Sequence, residues 1–393
     1  MARIITYTQG RRGYSSEWTQ HHYEDELTRT GHELLTFTPE APDGSMTLGD
    51  IDQYVIDRVA AAHKTKPVDL FFSSMFDDGM SPEAVKAIAA MGIPTVGVHY
   101  DAQMVSHRAK RIAPAFDLYW VIDPPAVAKM RALGANIYDA PVAANPHVYV
   151  PQDVDEDVEV SFCGQRYGSR IYYIEQLFKA GIYVELFGVG WKTEPERVAS
   201  RDGNQQQSGL NLGPAFRHTM ASMTHSHGRT WLRAAVLNRL KRTKRDPEIQ
   251  RRIDDHSNAP LSFPDMIRLF SRSKVALDFN ELGNTHLLSK PLVASRLRNF
   301  EALSSGACHL MYRVPAIEPH FEADKEILYY SSAEELVDKI RFYTDPKQDG
   351  VRANIRAAAR ARALRDHTWT QRFNDIFRLL GINQSELYKS YSV

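Results

Sequence analysis

The sequence has little cysteine and no excess of charge. Its 393 residues include two cysteines, Cys163 and Cys308, which lie far apart along the chain. Such a pair excludes a disulfide framework and fits a reducing compartment, and we expect both side chains to be small buried hydrophobes. Lys and Arg total 48, and Asp and Glu also total 48. That balance, with 43% hydrophobic residues, excludes a disordered or supercharged chain and is typical of a globular protein.

Long hydrophobic runs are also missing. The most apolar windows, Val68–Phe72 and Thr95–Val98, have the length of strands and fall far short of the roughly 18 residues of a membrane-spanning helix. The first residues, MARIITYTQGRR, turn polar after a short β-branched run, and so we expect no secretory signal. Together with the low cysteine content, this pattern predicts a cytoplasmic protein.

Several catalytic motifs are absent from the sequence. It contains no P-loop, no HExxH and no CxxC, which leaves Walker-type ATP hydrolysis and zinc-peptidase chemistry without support. The acidic run Asp153–Asp157 lies in a predicted linker, and His225 and His227 lie in a polar segment. We therefore expect the acidic run to be solvated, and we expect no metal site.

Short β-branched runs alternate with helical patterns over the first 145 residues, which is typical of βαβ units and a parallel sheet. The predicted strands are 3–8, 32–37, 68–73, 94–98, 117–122 and 136–139, and the predicted helices are one ending near 27 and those at 51–63, 81–91 and 125–133. We expect a doubly wound domain over residues 1–150, with its functional loops at the carboxyl ends of the strands.

A second βαβ series follows a linker at 145–157 that carries two prolines and a run of acids. The predicted strands are 158–163, 183–187, 275–280, 307–312 and 326–330, and the predicted helices are 169–180, 263–271, 297–305, 332–343 and one from 351 onward. These elements predict a second Rossmann-like domain over residues 151–380, a tail over 381–393 and a cleft between the two domains.

Residues 192–252 interrupt this alternation. They hold 13 Lys and Arg against 5 Asp and Glu, and Thr230–Arg242 has apolar residues at helical spacing. We interpret residues 192–260 as a basic insertion in the second domain. Three roles stay open for it: binding nucleic acid, lying on an anionic membrane surface, or forming a solvated flap.

Two glycine-bearing turns follow strands of the second domain. The segment Gly164–Arg170, GQRYGSR, stands where the first strand turns into its helix, and Gly188-Val-Gly190 follows the next strand. Backbone N–H groups at such a helix start favour a phosphate, and the flanking Arg166 and Arg170 add bidentate contacts. The same residues also fit plain tight turns with surface arginines.

Residues 289–310 form the most informative segment. A loop rich in Ser, Lys and Arg leads into a helix whose first turns carry Arg298 and Glu301, and the helix ends at Gly306 before an apolar strand. A carboxylate near a helix start can accept the paired hydroxyls of a ribose, and Arg298 can face a phosphate. The alternative is a surface Arg–Glu pair on a capped helix.

These stretches together resemble the C-terminal half of GT-B glycosyltransferases of the spore-maturation CgeB-like group, which is related to the retaining glycosyltransferase family 4. The matching stretches are VSFCGQRYGSRIYYIEQLFKAGIYVELFGVGW, SKVALDFNE, RNFEALSSGACHL, FEADKEILYYSSAEELVDKI and HTWTQRF. The first half is similar more loosely, through IPTVGVHYDA and FDLYWVIDPPAVAKMRALGA. The resemblance implies an α/β GT-B fold and transfer of a sugar from a nucleotide-sugar donor, without a cofactor or a metal, to an acceptor that stays open.

The resemblance also implies donor-binding residues. Glu301 would bind the ribose, and Arg298 with the backbone near Phe300 would bind the diphosphate. The full predicted set is Gly164, Arg166, Arg170, Gly188, Gly190, Arg298, Phe300 and Glu301. One departure concerns the family's paired glutamates, which are eight residues apart, because Val293 stands eight residues before Glu301. The stereochemical outcome therefore stays open.

Catalytic residues are expected after the fourth strand, where His99 and Asp101 lie. Either would serve as a general base in an inverting enzyme, and both would position the sugar in a retaining one. The loop Gly10–Gly13 is a further candidate for contact with donor or acceptor. Two alternatives remain: a glycosyltransferase that acts on modified DNA bases through the basic insertion, and a nucleotide-sugar-binding protein without turnover.

Overall fold

The computed structural model describes residues 1–8, 18–37, 46–100, 102–192, 226–240 and 246–382. The chain divides into two compact units. The first unit contains residues 1–148 and the residues from 365 onward, and the second contains residues 149–364. The predicted boundary near residue 150 therefore lies close to the observed division.

The first unit is built on a six-stranded sheet whose strands are all parallel, in the order β2-β1-β3-β4-β5-β6. Its strands are β1 (Arg3–Thr8), β2 (Glu33–Phe37), β3 (Leu70–Ser74), β4 (Thr95–His99), β5 (Leu118–Val121) and β6 (Ile137–Asp139). Its helices are α1 (Asp25–Arg29), α2 (Leu48–Thr65), α3 (Pro82–Ala89), α4 (Ala102–Val105) and α5 (Pro124–Ala132). The parallel order agrees with the doubly wound domain predicted from the alternation.

Local sequence signals fix several helix starts in this unit. Thr47 and Asp50 form a capping box at the start of α2, and the Ser81 side chain caps α3, which has Pro82 at its first position. Strands β3 and β4 have almost no exposed residues, as expected for central parallel strands that are covered on both faces.

The helix that ends the described chain belongs to the first unit. The last two described helices are α12 (Asp349–Asp366) and α13 (Trp369–Leu379), and residues 365–382 belong to the first unit. Trp369 donates its indole N–H to His22 Nδ1 at 2.7 Å, and the Phe373 ring packs against Phe72. The sequence placed residues up to 380 in the second domain because an amphipathic pattern shows that a helix buries one face without showing which sheet it buries that face against.

The second unit has its own six-stranded parallel sheet, in the order β12-β11-β10-β7-β8-β9. Its strands are β7 (Val158–Cys163), β8 (Glu185–Phe187), β9 (Ser257–Asn258), β10 (Ser273–Asp278), β11 (His309–Tyr312) and β12 (Leu328–Tyr330). Its helices besides α12 are α6 (Ser169–Lys179), α7 (Ser226–Leu240), α8 (Pro247–Asp255), α9 (Phe263–Arg272), α10 (Leu297–Ser304) and α11 (Ala333–Thr344). This sheet confirms the second Rossmann-like half.

Part of the predicted basic insertion is a regular part of this domain. Strand β9 pairs with β8, and Ile253 of α8 is buried in the same core as β7 and β10. The sequence missed β9 because it has only two residues, both polar. Residues 193–225 and 241–245 of the predicted insertion lie outside the described residues.

The acidic run before β7 is solvated in part: Asp153 and Asp155 are exposed as expected, whereas Glu156 and Asp157 are paired with arginines. Glu156 accepts a hydrogen bond of 2.7 Å from the buried guanidinium of Arg352. Asp157 accepts two hydrogen bonds from Arg272, at 2.7 and 2.6 Å. These arginines are more than a hundred positions away, so the pairing is invisible in the local sequence.

None of the described helices combines the length and the apolar composition needed to cross a bilayer.

Candidate functional site

The carboxyl edge of the second sheet gathers most of the predicted donor-binding residues. The loop 164–168 follows β7, the turn 188–190 follows β8, and the loop 279–283 follows β10. Because β8, β7 and β10 are adjacent parallel strands, their carboxyl ends share one edge of the sheet. In such sheets this edge is where ligands bind.

The two predicted glycine turns are joined to each other by hydrogen bonds. Gly164 donates its N–H to Phe187 O at 2.8 Å, and Arg166 donates its N–H to Val189 O at 3.0 Å. Trp191 Nε1 donates to Gly164 O at 2.8 Å. A Cβ at Gly188 would collide with the carbonyl oxygen of Gly164. The turns therefore form one rigid layer at the sheet edge.

Gly168 sets the direction of the chain as it enters α6. It has a φ of 58°, in the left-handed region, and a Cβ there would collide with the backbone carbonyl of Gly283. The next residue, Ser169, donates its N–H to Gly283 O at 2.8 Å. The first N–H of α6 is thus already occupied by the loop after β10, so any phosphate has to be held by the neighbouring side chains as well.

Arg170 lies at this helix start with its side chain held between two rings. Its Cζ atom lies 4.1 Å from the centroid of the Tyr167 ring and 5.2 Å from that of Phe162. Its Nη1 donates to Gln165 O at 2.8 Å, and its buried Nε has no hydrogen-bond partner among the described residues. Burial lowers the pKa of Arg170; Tyr167 and Asp278 oppose this shift, and the positive charges of Arg296 and Arg298 add smaller contributions to it.

Arg296 is a basic residue of this site that the sequence reasoning missed. It immediately precedes α10, and its buried Nε also has no hydrogen-bond partner among the described residues. Arg298, in the first turn of the same helix, forms an ion pair with Glu301, with 3.6 Å between Nε and Oε2. The Ser/Lys/Arg-rich loop before α10 pointed to this region, but nothing in its sequence identified Arg296 as more important than the other basic residues there.

A buried polar network supports the start of α10. Asn299 accepts the N–H of Arg296 at 2.7 Å and the side-chain amide of Asn280 at 3.1 Å. The Asn299 amide donates to Asp278 Oδ2 at 3.0 Å. Asn299 and Asp278 are both almost fully buried, and so the position of Arg296 is tied to the end of β10.

Glu301 and Phe300 are placed inside the unit rather than on its surface. Glu301 is 2% exposed, accepts a hydrogen bond of 3.1 Å from the hydroxyl of the buried Tyr149, and pairs with Arg298. Phe300 packs against Phe321 and has no exposed surface. Glu301 is therefore paired with Arg298 inside the unit, and its predicted role in binding the ribose stays a prediction.

Glu281 is a second residue that the sequence reasoning missed. It is 1% exposed, accepts a hydrogen bond of 2.6 Å from Tyr173 and one of 3.3 Å from the Ser169 hydroxyl. Burial raises its pKa to about 7. Its backbone forms an antiparallel bridge with Val293, so a glutamate does lie beside the position where the resemblance would place one. No local motif marks Glu281, because its position beside Val293 depends on the course of the loop after β10 and not on its neighbours in the sequence.

Arg166 is engaged with the protein itself. Its Nη2 donates to Gln250 Oε1 of α8 at 2.9 Å, and its Nη1 lies 3.4 Å from Gly190 O. The guanidinium of Arg166 is therefore partly occupied by these contacts, and its predicted role in donor binding stays a prediction.

In the first unit, His99 is the last residue of β4, whereas the sequence analysis placed it just after that strand. It is 1% exposed, packs against the rings of Phe76 and Tyr119, and neither ring nitrogen has a hydrogen-bond partner among the described residues. Burial, assisted by the nearby Arg108 and His107, lowers its pKa to about 4. His99 is thus a neutral, enclosed imidazole at neutral pH.

The other catalytic candidates cannot be placed. Asp101 and the loop Gly10–Gly13 lie outside the described residues, and their predicted roles stay predictions. Within the described ranges, no group of three His, Cys, Asp or Glu side chains is arranged to hold a metal ion.

Comparison with known proteins adds a family match and a fold. Residues 214–378 match the model of a family described as glycosyl transferase-like, a stretch that is less than half of the chain. None of the curated proteins compared with the chain matches it.

Solved structures share the fold along nearly the whole chain. A glycosyltransferase from Rickettsia africae ESF-5 matches with a TM-score of 0.58 at 10% identity, covering 99% of each chain. A sucrose-phosphate synthase from Thermosynechococcus elongatus matches with a TM-score of 0.54 at 14% identity, covering 97% of this chain and 99% of that one. Anabaena HepE in complex with UDP and glucose matches with a TM-score of 0.54 at 12% identity, covering 97% and 100%. At these identities the likeness shows the fold, which confirms the predicted α/β GT-B architecture.

Proposed function

We propose that the protein is a glycosyltransferase that moves a sugar from a nucleotide-sugar donor to an acceptor hydroxyl. The observation that carries the proposal is the arginine cluster formed by Arg170, Arg296 and Arg298 at the carboxyl edge of the second sheet. The glycosyl transferase-like match over residues 214–378 includes Arg296 and Arg298 and supports the same function. We also propose that the protein is a member of the CgeB-like group of GT-B glycosyltransferases and is therefore related to the retaining family 4.

Burial and the neighbouring positive charges make a bound anion favourable at this cluster, where Asp278 and Glu301 already supply some negative charge. Like charges held close together in a partly buried place repel one another, and two of the three guanidiniums keep a buried Nε without a partner among the described residues. A nucleoside diphosphate brings the negative charges and the acceptor oxygens that such a cluster needs. Because arginines form bidentate contacts with phosphate oxygens, the cluster suits a diphosphate better than a single carboxylate.

The same cluster explains how the reaction would proceed. Breaking the bond between the sugar and the diphosphate leaves negative charge on the departing phosphate, and fixed guanidiniums at that place stabilise it. In the proposed reaction they take the part that a bound cation plays in other transferases, so no metal is needed. Glu301 would receive the ribose hydroxyls and Arg298 the diphosphate, while the backbone of the layer at Gly164, Gly188 and Gly190 would line the donor.

If the enzyme inverts, the acceptor proton needs a protein base on the side of the sugar opposite the diphosphate. Asp101 and His99 remain the candidates from the sequence, and the enclosed position of His99 makes Asp101 the one we favour as base. The stereochemical outcome is left open, since Val293 replaces the first of the paired glutamates.

The proposal is tested by donor binding in the purified full chain. Thermal shifts are measured with UDP-, GDP-, ADP- and dTDP-sugars for the wild type, Arg296→Ala and Arg170→Ala. The matched control is Arg341→Ala, because Arg341 contacts Ala180 at the opposite end of α6. We expect one nucleotide class to stabilise the wild type and the control, and each cluster variant to weaken that binding about tenfold or more.

Turnover is measured in the same preparations by release of the nucleoside diphosphate, with and without EDTA. Release that survives EDTA and is lost in Arg296→Ala supports the reaction as proposed. Binding without any release would favour a nucleotide-sugar-binding protein instead. A folded wild type that binds none of the four donor classes would contradict the proposal.

A further inference from the structure

Helix α7 has one face packed on the second unit. Ala234 is 1% exposed, and the Trp231 ring lies directly against the α-carbon of Gly283. The helix packs on the short turn Thr285–Leu287, which follows the same loop. Since Gly283 also accepts the Ser169 N–H, the inner face of α7 is attached to the loop that borders the arginine cluster.

The opposite face carries aliphatic side chains that are left in solvent. Leu232, Val236 and Leu240 are 53%, 50% and 77% exposed. They are spaced four residues apart, and so they form one stripe along the helix. A single exposed leucine is ordinary on a protein surface, whereas three in line on one short helix mark a surface that meets something apolar.

Arginines border this stripe on both sides. At about 100° per residue, Arg239 lies beside Leu232 on one side and Arg233 lies beside Leu240 on the other, while Arg229 lies in line with the stripe near the start of the helix. Helix α7 contains no acidic residue. None of these three arginines forms an ion pair with another residue in the described part of the chain.

We propose that the outer face of α7 docks on the surface of a bilayer that contains anionic lipid. Aliphatic side chains in the centre would enter the boundary between headgroups and acyl chains, while the bordering arginines would reach the lipid phosphates. An anionic bilayer fits this face because it offers apolar material to the aliphatic side chains and negative charge to the arginines. The docking itself does not depend on the proposed transferase activity.

Two other occupants fit the pattern less well. A nucleic acid would use the arginines, but it offers nothing to the three aliphatic side chains between them. A second copy of the chain, packed by two-fold symmetry, would bring the arginines of one helix against those of the other. A bilayer surface satisfies both kinds of group at once.

Docking there would place the second unit's donor loop near the lipid. The connection from Trp231 through Gly283 to Ser169 is direct, each residue contacting the next. If the proposed transfer takes place, a lipid-linked acceptor would therefore be presented close to the helix that carries the donor loop.

Vesicle co-sedimentation of the full chain tests the proposal. Phosphatidylcholine vesicles are compared with vesicles that also contain phosphatidylglycerol, at low and high salt. The variants are the triple change Leu232→Ser, Val236→Ser and Leu240→Ser, and the double change Arg229→Glu and Arg233→Glu. The control is Leu379→Ser in the first unit, since Leu379 is 59% exposed and the neighbouring Arg378 is already paired with Asp375.

We expect binding only to vesicles with the anionic lipid, weakened by salt, and lost about tenfold or more in each α7 variant but not in the control. All the changed side chains are exposed, so the melting curves of the variants should match that of the wild type. Matching curves show that a loss of vesicle binding comes from the altered surface and not from unfolding. No vesicle binding, equal binding to neutral vesicles, binding of duplex DNA alone, or self-association abolished by the triple change would each overturn the proposal. Donor thermal shifts are measured separately, so a failure of docking is distinguishable from a failure of the proposed transferase.

Discussion

Tyr173 donates a hydrogen bond of 2.6 Å to the carboxyl group of Glu281, deep inside the second unit. The two residues belong to α6 and to the loop after β10, and Ser169 adds a second contact between the same elements. Because the carboxyl group is nearly inaccessible to water, its neutral form is favoured. This pair holds the donor-side loop against the helix that carries Arg170.

Glu281→Gln should change how stability depends on pH. Burial raises the pKa of Glu281 from 4.5 to about 7, so the folded state keeps a proton that the unfolded chain releases above its lower pKa. The wild type therefore loses stability as the pH rises from about 4.5 to 7, whereas glutamine does not titrate. We expect the variant to gain on the order of 2–3 kcal/mol relative to the wild type at pH 8, and little at pH 4.

Denaturant unfolding of the two proteins at both pH values checks this, with Glu159→Gln as an exposed control in the same unit. A variant that is destabilised equally at both pH values would show that the carboxylate form is the one the fold requires.

Gly168→Ala should be more costly than Gly181→Ala. Both glycines have positive φ, 58° and 76°, so each substitution costs about 1–2 kcal/mol in backbone strain. A Cβ at Gly168 meets the backbone of Gly283, whereas a Cβ at Gly181 meets nothing within 4 Å. We expect Gly168→Ala to lose stability beyond the control and also to weaken donor binding, as measured by thermal melting with and without donor. Equal losses of stability in the two variants would show that the loop after β10 moves away from the added methyl group at little cost.

Asn299→Asp should destabilise the second unit and weaken donor binding. The side-chain amide of Asn299 donates to Asp278 at 3.0 Å, and a carboxylate in its place would put two acids in contact while removing the donor. Breaking a buried hydrogen bond to a charged group costs about 1.5–3 kcal/mol. The loss should grow as the pH rises, because low pH allows one acid to be protonated. Asn354→Asp, on an exposed position of α12, is the control, and a pH-independent loss would argue against this contact.

Glu26→Ala should loosen helix α13 from the first unit. The Glu26 carboxyl group accepts the Thr370 N–H at 2.5 Å, at the start of that helix, and burial raises the pKa of Glu26 to about 7. Removing it leaves the half-buried N–H and hydroxyl of Thr370 without this acceptor, which costs about 1–3 kcal/mol. Hydrogen exchange should show faster exchange in residues 369–379, with Glu83→Ala, exposed in the first turn of α3, as control. Unchanged protection there would mean that ring packing alone holds the helix.

The strands of the two sheets could be predicted from the sequence better than the side-chain contacts between residues that lie far apart in the chain. Strands such as β3 and β10 are short apolar runs between turn residues, and that local pattern is enough to locate them. The glycine turns were found for the same reason, since their spacing is local. Glu281 and Arg296 were missed because their significance comes from Tyr173 and Arg170, more than a hundred residues earlier in the chain.

The assignment of α13 to the first unit has a consequence for how the chain is made. The first 148 residues leave the ribosome early, but the helix that covers Tyr23 and Phe72 with Trp369 and Phe373 is synthesised only after the second unit. The nascent first unit therefore waits for the whole second unit to be translated before its aromatic core is closed. A fragment ending after residue 148 would expose those rings, and its aggregation during expression is the expected cost of this order of synthesis.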